Sequence, residues 1–220
     1  MKQRVNFEKN GGWNVKLQAA IDLLTIEEAL NLMRKIEPYT DIIEIGTFLG
    51  LIEGYKAVKV MKQAYPEKLI LADNKIVDGG YDIASYAYDA GADIVTTIGM
   101  TNNETCAGLL RAAHERGKFA MVDMIGVTEL HERALELDAM GFDYILMHTA
   151  HDMLIHDSAP IDDLKYVKSH VKHAKVGISG GISPEQMPEI MSAAPDWVVV
   201  GSALYMAEDP LAVARAIHAF

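Results

Sequence analysis

Cysteine is nearly absent from this chain: Cys106 is the single one in 220 residues. No intrachain disulfide can form, and neither a secreted disulfide framework nor a Cys-rich zinc site is available, which fits a reducing cytoplasm. Basic charge is also scarce, with 20 Lys and Arg against 31 Asp and Glu and a formal net charge of -11. That balance disfavours nucleic acid and anionic membrane as partners, because both usually need a basic surface. No run of 18 apolar residues, the length that could span a bilayer, is present, and the polar start from Met1 to Asn14, with its Gly11-Gly12 pair, lacks a signal-peptide core. Residues 1–15 therefore read as an N-terminal extension and residues 16–220 as one domain.

What is present is apolar and regular. Half of the residues are hydrophobic and 23% are charged, an ordinary globular composition. From Lys16 onward, short apolar runs alternate with longer amphipathic stretches. The strand candidates are Lys16 to Asp22, Asp41 to Thr47, Leu69 to Lys75, Asp93 to Gly99, Phe119 to Gly126, Tyr144 to Ala150, Lys175 to Gly181 and Trp197 to Leu204. Continuous apolar runs of this length are what buried parallel strands require. Eight strand–helix units, joined by right-handed crossovers, predict an α/β fold of the (β/α)₈ TIM-barrel type.

The punctuation agrees with that periodicity. Thr25 with Glu28 predicts a capping box, and Ser183-Pro184 predicts a helix start with proline in its first turn. Gly91, Gly117 and Gly141 each fall between a helical stretch and a strand, where a left-handed residue ends a helix. The longest irregular stretch, Asp152 to Pro160, follows the sixth strand and is expected to lie over the active face.

Catalytic groups of such barrels sit at the C-terminal ends of strands. Asp22 ends the first run, Glu44 and Thr47 lie in the second, Asp73 and Lys75 end the third, and Asp78 follows in the loop. Asp123 lies in the fifth run and His148 in the sixth, the latter within His148-Thr149-Ala150-His151-Asp152. An acid inside an apolar strand is costly to bury unless it is paired or metal-bound. Glu44 and Asp73 offer two hard oxygen ligands for Mg²⁺, with hydrogen-bonded carboxylates as the metal-free alternative. Asp73 and Lys75 are two apart, hence on one strand face, and Asp78 is near enough to approach the same ammonium; a rim ion pair is the structural alternative. His148 is placed to act as acid or base. Ser179-Gly180-Gly181 and Gly201-Ser202 end the seventh and eighth runs, where barrels hold a phosphate on backbone N–H groups. Cys106, with no base beside it, reads as a small buried residue, the methionines as packing, and Trp197 as part of the barrel wall.

These residues resemble the orotidine 5′-phosphate decarboxylase suprafamily, whose Asp-x-Lys-x-x-Asp signature appears as Asp73-Asn74-Lys75-Ile76-Val77-Asp78. Within it the chain is similar to the hexulose-6-phosphate synthases and 3-keto-L-gulonate-6-phosphate decarboxylases, through Ile-Glu-Ile-Gly-Thr (43 to 47), Leu-Ala-Asp-Asn-Lys (71 to 75), Ser-Gly-Gly-Ile (179 to 182) and Val-Gly-Ser-Ala (200 to 203). The resemblance implies Mg²⁺ on Glu44 and Asp73, Lys75 at the oxygen of a cis-enediolate, and a homodimer across which Asp78 reaches into the partner's site. It further implies catalytic roles for Asp123 and His148, and a sugar phosphate bound by Asp22, His151, Ser179, Gly180, Gly181, Gly201 and Ser202.

Asp123 stands where the decarboxylases have Glu, Thr149 and His151 where they have Arg, and Ser202 where they have a phosphate-gripping Arg, so the resemblance leans to the synthase. Asn74, Phe48 and Ala150 depart from the usual pattern. The expected activity is a Mg²⁺-dependent aldol condensation of formaldehyde with D-ribulose 5-phosphate. The alternatives are the decarboxylase and a barrel that binds a sugar phosphate without turnover. Glu44, Asp73, Lys75 and Asp78 together argue against the last, since phosphate binding alone does not need them.

Overall fold

The computed structural model describes residues 15–153 and 159–220. The expectations for residues 1–14, and for 154–158 within the loop after the sixth strand, lie outside the described residues.

Eight parallel strands close into a barrel in chain order, the last pairing with the first. They are β1 Lys16–Ile21, β2 Ile42–Ile45, β3 Leu69–Ile76, β4 Ile94–Ile98, β5 Phe119–Asp123, β6 Tyr144–His148, β7 Lys175–Ser179 and β8 Trp197–Val200. The helices are α1 Ile26–Ile36, α2 Thr47–Glu53, α3 Tyr55–Ala64, α4 Gly80–Asp89, α5 Asn103–Arg116, α6 Leu130–Met140, α7 Ile161–His170, α8 Met187–Met191, α9 Ser202–Tyr205 and α10 Pro210–His218. The TIM-barrel reading is thus met strand for strand.

The predicted signals act where expected. Thr25 and Glu28 form a reciprocal capping box on α1. Ser183 and Gln186 form another, over a 3₁₀ turn that leads into α8. Gly117 (φ 63°) and Gly141 (φ 99°) end α5 and α6 in the left-handed region, as does Gly91 (φ 112°) just beyond α4. The predicted strands ran on past most of the observed C-terminal ends. Thr47 already starts α2 and Ser202 starts α9, because the polar and glycine residues that continue each run turn the chain over the barrel mouth.

Strand alternation sorts the core into two layers. Outward residues such as Ile43, Ile70, Val95, Ile145 and Val198 are buried against the helices. Inward residues such as Ile42, Leu71, Ile94, Met121, Tyr144 and Val199 fill the lumen. Each such side chain, removed from water, contributes roughly 1.5–3 kcal/mol. Trp197 corrects the sequence reading. It points into the lumen, edge-on to Tyr144 with ring centroids 5.4 Å apart, and not into the wall. Gly177 makes this possible, since a Cβ there would stand 2.2 Å from the indole ring.

The N-terminal end of the barrel repeats one device four times. Asp41, Asp93, Asp143 and Asp196 each stand just before an even-numbered strand. Each carboxylate accepts the backbone N–H of the second residue of the preceding strand: Leu17 at 3.0 Å, Ile70 at 3.0 Å, Ala120 at 3.0 Å and Val176 at 2.8 Å. Lysines neutralise three of them, Lys16 on Asp41, Lys62 and Lys118 on Asp93, and Lys168 on Asp196. These bonds pin the strand starts and leave the opposite end free to carry chemistry.

Candidate active site

The inward rows of the strands end in polar side chains at the C-terminal mouth, around a cavity of about 370 Å³. Parity places them: Glu44 lies two residues beyond Ile42, Asp73 beyond Leu71, Asp123 beyond Met121 and His148 beyond Leu146. Asp22, Lys75, His151, Ser179, Gly180, Gly181, Gly201 and Ser202 line the same cavity. Twelve of the thirteen predicted site residues therefore meet in one place.

Asp78 is the exception. It is exposed, does not line the cavity, and accepts a hydrogen bond from its own neighbour Gly79 N–H at 2.8 Å. The expectation that it approaches the Lys75 ammonium is not met within this chain, because Gly79 turns the loop away through a left-handed conformation (φ 65°) into α4.

Asp73 is held by three donors. The Thr96 hydroxyl donates to Oδ1 at 2.9 Å, the Thr47 hydroxyl donates to Oδ2 at 2.7 Å, and the Lys75 ammonium also bonds Oδ2. Lys75 Nζ donates in addition to Thr47 Oγ1 at 2.9 Å. Burial works against the Lys75 charge, but Asp73, then Glu44 and Asp123, more than offset it, and its pKa ends above the ordinary lysine value. The pairing of Asp73 with Lys75 was expected from plain strand alternation, yet the strand is not plain here. Four residue steps along β3, from Ala72 to Ile76, span two along β4, from Val95 to Thr97, and Lys75 has φ 44°. The Thr96 hydroxyl accepts Lys75 N–H at 3.0 Å and the Thr97 hydroxyl donates to Ile76 C=O at 2.6 Å, so β4 holds the bulge in shape.

Glu44 is buried beside Asp73 on the neighbouring strand and accepts Gln18 Nε2 at 2.6 Å. Burial, then the Asp73 charge, pushes its pKa up to about 8. Asp22 is raised for the same two reasons, although Phe48 N–H donates to it. It packs on Gly46, where a Cβ would stand 2.4 Å from its Oδ1, so only glycine leaves room for this carboxylate. Among the described residues no group of three or more His, Cys, Asp or Glu side chains forms a ready metal cluster. The donor set nevertheless suits a hard cation that keeps most of its waters. Two carboxylates face one cavity, and the charge on Glu44 is opposed by its surroundings until a positive ion relieves it.

Across the mouth, His148 Nδ1 meets Asp123 Oδ2 at 2.8 Å, and Asp123 Oδ1 accepts Ile125 N–H at 2.9 Å. With Asp123 only 2% exposed and both its oxygens engaged, it fixes the imidazole and leaves Nε2 as the proton-accepting atom. Gly180 (φ 114°) and Gly181 (φ 65°) take conformations that favour glycine, and a Cβ on Gly180 would meet Thr149 C=O at 2.8 Å. His151 lies exposed at the rim in a short 3₁₀ turn. Among the described lining residues, Lys75 carries the one ammonium and there is no guanidinium. An anionic substrate group must therefore rely on Lys75, imidazole and backbone N–H donors.

Sequence reasoning passed over Gln18 and Thr96. Both share the inward face of their strands, and Gln18 stands four residues before Asp22 on that face, so parity was the signal that would have found them.

Comparison with known proteins agrees with this geometry. The model of the orotidine 5′-phosphate decarboxylase / HUMPS family matches residues 15–217. A 3-hexulose-6-phosphate synthase of Bacillus subtilis is 42% identical over 196 residues, covering 89% of this chain and 93% of that protein. Among solved structures, the 3-hexulose-6-phosphate synthase from Salmonella typhimurium has a TM-score of 0.89 at 42% identity, covering 92% of this chain and 96% of that one. The 3-keto-L-gulonate-6-phosphate decarboxylase from Vibrio cholerae has a TM-score of 0.80 at 25% identity, covering 93% and 95%. Among the described residues no helix is long and apolar enough to cross a membrane.

Proposed function

Since this chain belongs to the orotidine 5′-phosphate decarboxylase / HUMPS family, we propose that it is an aldehyde-lyase, a 3-hexulose-6-phosphate synthase that condenses formaldehyde with D-ribulose 5-phosphate. The observation that carries the reading is the Asp123–His148 pair, which shares a cavity with Lys75 and Asp73 and supplies an oriented base opposite a cation.

Glu44 and Asp73 are the residues that would hold Mg²⁺, which when bound supplies Lewis-acid polarisation of the ketose oxygens. The remaining steps belong to the chain. His148 Nε2 removes the C1 proton, with its ring held through Nδ1 by Asp123. The Lys75 ammonium, kept charged by Asp73, stabilises the developing cis-enediolate oxygen. The enediolate carbon attacks formaldehyde, and the imidazolium returns its proton to the new alkoxide. Backbone N–H groups of Gly180, Gly181, Gly201 and Ser202 take the phosphate, Ser179 and Asp22 border the sugar, and His151 closes the rim.

The domain reading accompanies this: residues 16–220 form the catalytic barrel after the 1–15 extension, whose last residue, Val15, is buried in the barrel's core and belongs with it. A homodimer is supported by apolar side chains exposed along the second to fourth βα units, namely Phe48, Leu51, Ile52, Val77, Ile83, Tyr86 and Met100. In it Asp78 reaches the partner's site. The buried, single Cys106 agrees with a reducing cytoplasm as the setting.

The test is a parallel assay with Mg²⁺ of formaldehyde loss with D-ribulose 5-phosphate and CO₂ release from 3-keto-L-gulonate 6-phosphate. Faster formaldehyde loss is expected. Dominant CO₂ release would make the chain a decarboxylase, and neither activity, with EDTA indifferent, would leave a binding barrel.

A further inference from the structure

Gln18 is a polar side chain where the fold alone does not ask for one. It lies on β1, is 1% exposed, and faces the cavity floor among Ala20, Leu71 and Val199. A leucine or methionine would fill that space without a polar group to satisfy. Its amide reaches diagonally across the β1–β2 pair, since Ala20 is the register partner of Glu44, and donates from Nε2 to Glu44 Oε2 at 2.6 Å. The other end of the amide, Oε1, is buried with no hydrogen-bond partner, an arrangement that is destabilising unless a ligand or water completes it.

We infer that Gln18 is a positioning residue of the cation site: Nε2 fixes the Glu44 carboxylate so that Oε1 of Glu44 stays free for the ion, and Gln18 Oε1 accepts from a water in the ion's shell. This rests on the reading that Glu44 and Asp73 hold a divalent cation. A buried water is stable with two to four polar partners, and the ion, Gln18 and a neighbouring carboxylate supply that number. Hard cations such as Mg²⁺ keep several waters, so an amide oxygen one shell away suits them. Ligand-orienting partners of this kind commonly change metal affinity by about 10–100-fold.

The experiment is calorimetric titration of Mn²⁺ and Mg²⁺ into substrate-free protein, with Mn²⁺ binding followed in parallel by electron paramagnetic resonance, for wild type, Gln18→Met, Gln18→Leu and Glu44→Gln. Gln18→Met is expected to bind about 10–100-fold more weakly. Its melting temperature in EDTA should be equal to or above that of wild type, because the unsatisfied amide oxygen is gone. Raising Mg²⁺ should restore most of its turnover. Gln18→Leu guards against a packing defect peculiar to Met. Wild-type affinity in both Gln18 variants, with binding lost in Glu44→Gln, would overturn the role of Gln18 alone. Wild-type affinity in Glu44→Gln as well would overturn the cation site and this inference with it. A melting temperature in EDTA that falls in both Gln18 variants with unchanged cation affinity would make Gln18 a packing residue.

Discussion

The two ends of this barrel use the same residue types to opposite ends. At the N-terminal end, four aspartates each accept a strand N–H, and lysines from helices, a strand and a connecting turn pair with Asp41, Asp93 and Asp196. Each charge there is matched by donors within the fold. At the C-terminal mouth, Glu44, Asp73 and Asp22 crowd one cavity with a single ammonium among the described lining residues, and burial and mutual repulsion raise the pKa of Glu44 and of Asp22. The difference teaches where the fold is complete and where it waits for a ligand. The lower end is satisfied on its own, whereas the mouth holds an excess of carboxylate that, on the proposed function, a bound cation would offset.

The largest effect that would break this comparison is at Asp73. Asp73→Ala removes a proposed ligand and the partner of Lys75, and is expected to lower kcat/KM by at least about 10³-fold while the melting temperature in EDTA holds or rises. Lys75→Ala is expected to be comparably severe. Steady-state kinetics beside thermal unfolding decides the matter; an Asp73→Ala variant that keeps its activity would sink the metal assignment.

How much of this was legible in the sequence follows from the same geometry. The eight strands were readable because strands buried on both faces are apolar throughout, and Glu44, Asp123 and His148 stood out as polar residues in such runs. Strand ends were harder to read: Gly46, Thr47, Gly201 and Ser202 look like continuations of their runs, but the turn over the mouth converts them to helix starts. The Asp73–Lys75 pair was predicted correctly for an incomplete reason. Spacing cannot reveal a bulge with Lys75 at φ 44°, because Thr96 and Thr97 on the next strand hold it. The approach of Asp78 to Lys75 within this chain is not met because a loop residue has no parity to restrain it. Sequence alone gives the aspartates of the lower end no role: it starts strands at Asp41 and Asp93 and leaves Asp143 and Asp196 as ordinary loop polarity, until the N–H partner on the preceding strand is known.

A middle-sized effect sharpens the comparison from the other side. Asp93 Oδ2 accepts Ile70 N–H at 3.0 Å and Lys62 Nζ at 2.9 Å, and Oδ1 accepts Lys118 Nζ at 2.7 Å. Asp93→Ala orphans a buried strand N–H and two half-buried ammonium groups. It is expected to cost about 2 kcal/mol, a drop in melting temperature of roughly 4–8 °C for a chain of this size. Turnover at temperatures where the variant is folded should match wild type. Lost activity without lost stability would mean that the lower end is not merely scaffold.

The smallest effect is a pH dependence whose sign differs between the two ends. Near the lower end, burial alone would raise the pKa of Asp138, but N–H donors from Ala174, Lys172 and His173 outweigh it and the net shift is downward. A depressed acid stabilises the fold above its unfolded pKa, and that contribution is lost as pH falls through the folded value. Glu44 is shifted the other way, from 4.5 to about 8. Between those values the folded protein holds a proton that the unfolded chain has released, so stability falls as pH rises through that window and levels off above it. Urea midpoints measured in EDTA from pH 5 to 9 should therefore decline in wild type and decline less in Glu44→Gln. With saturating Mg²⁺ the wild-type decline should shrink, because the ion binds the ionised carboxylate and opposes the proton. An equal slope in Glu44→Gln would remove Glu44 as the source of the strain at the mouth, and with it the contrast between the two ends.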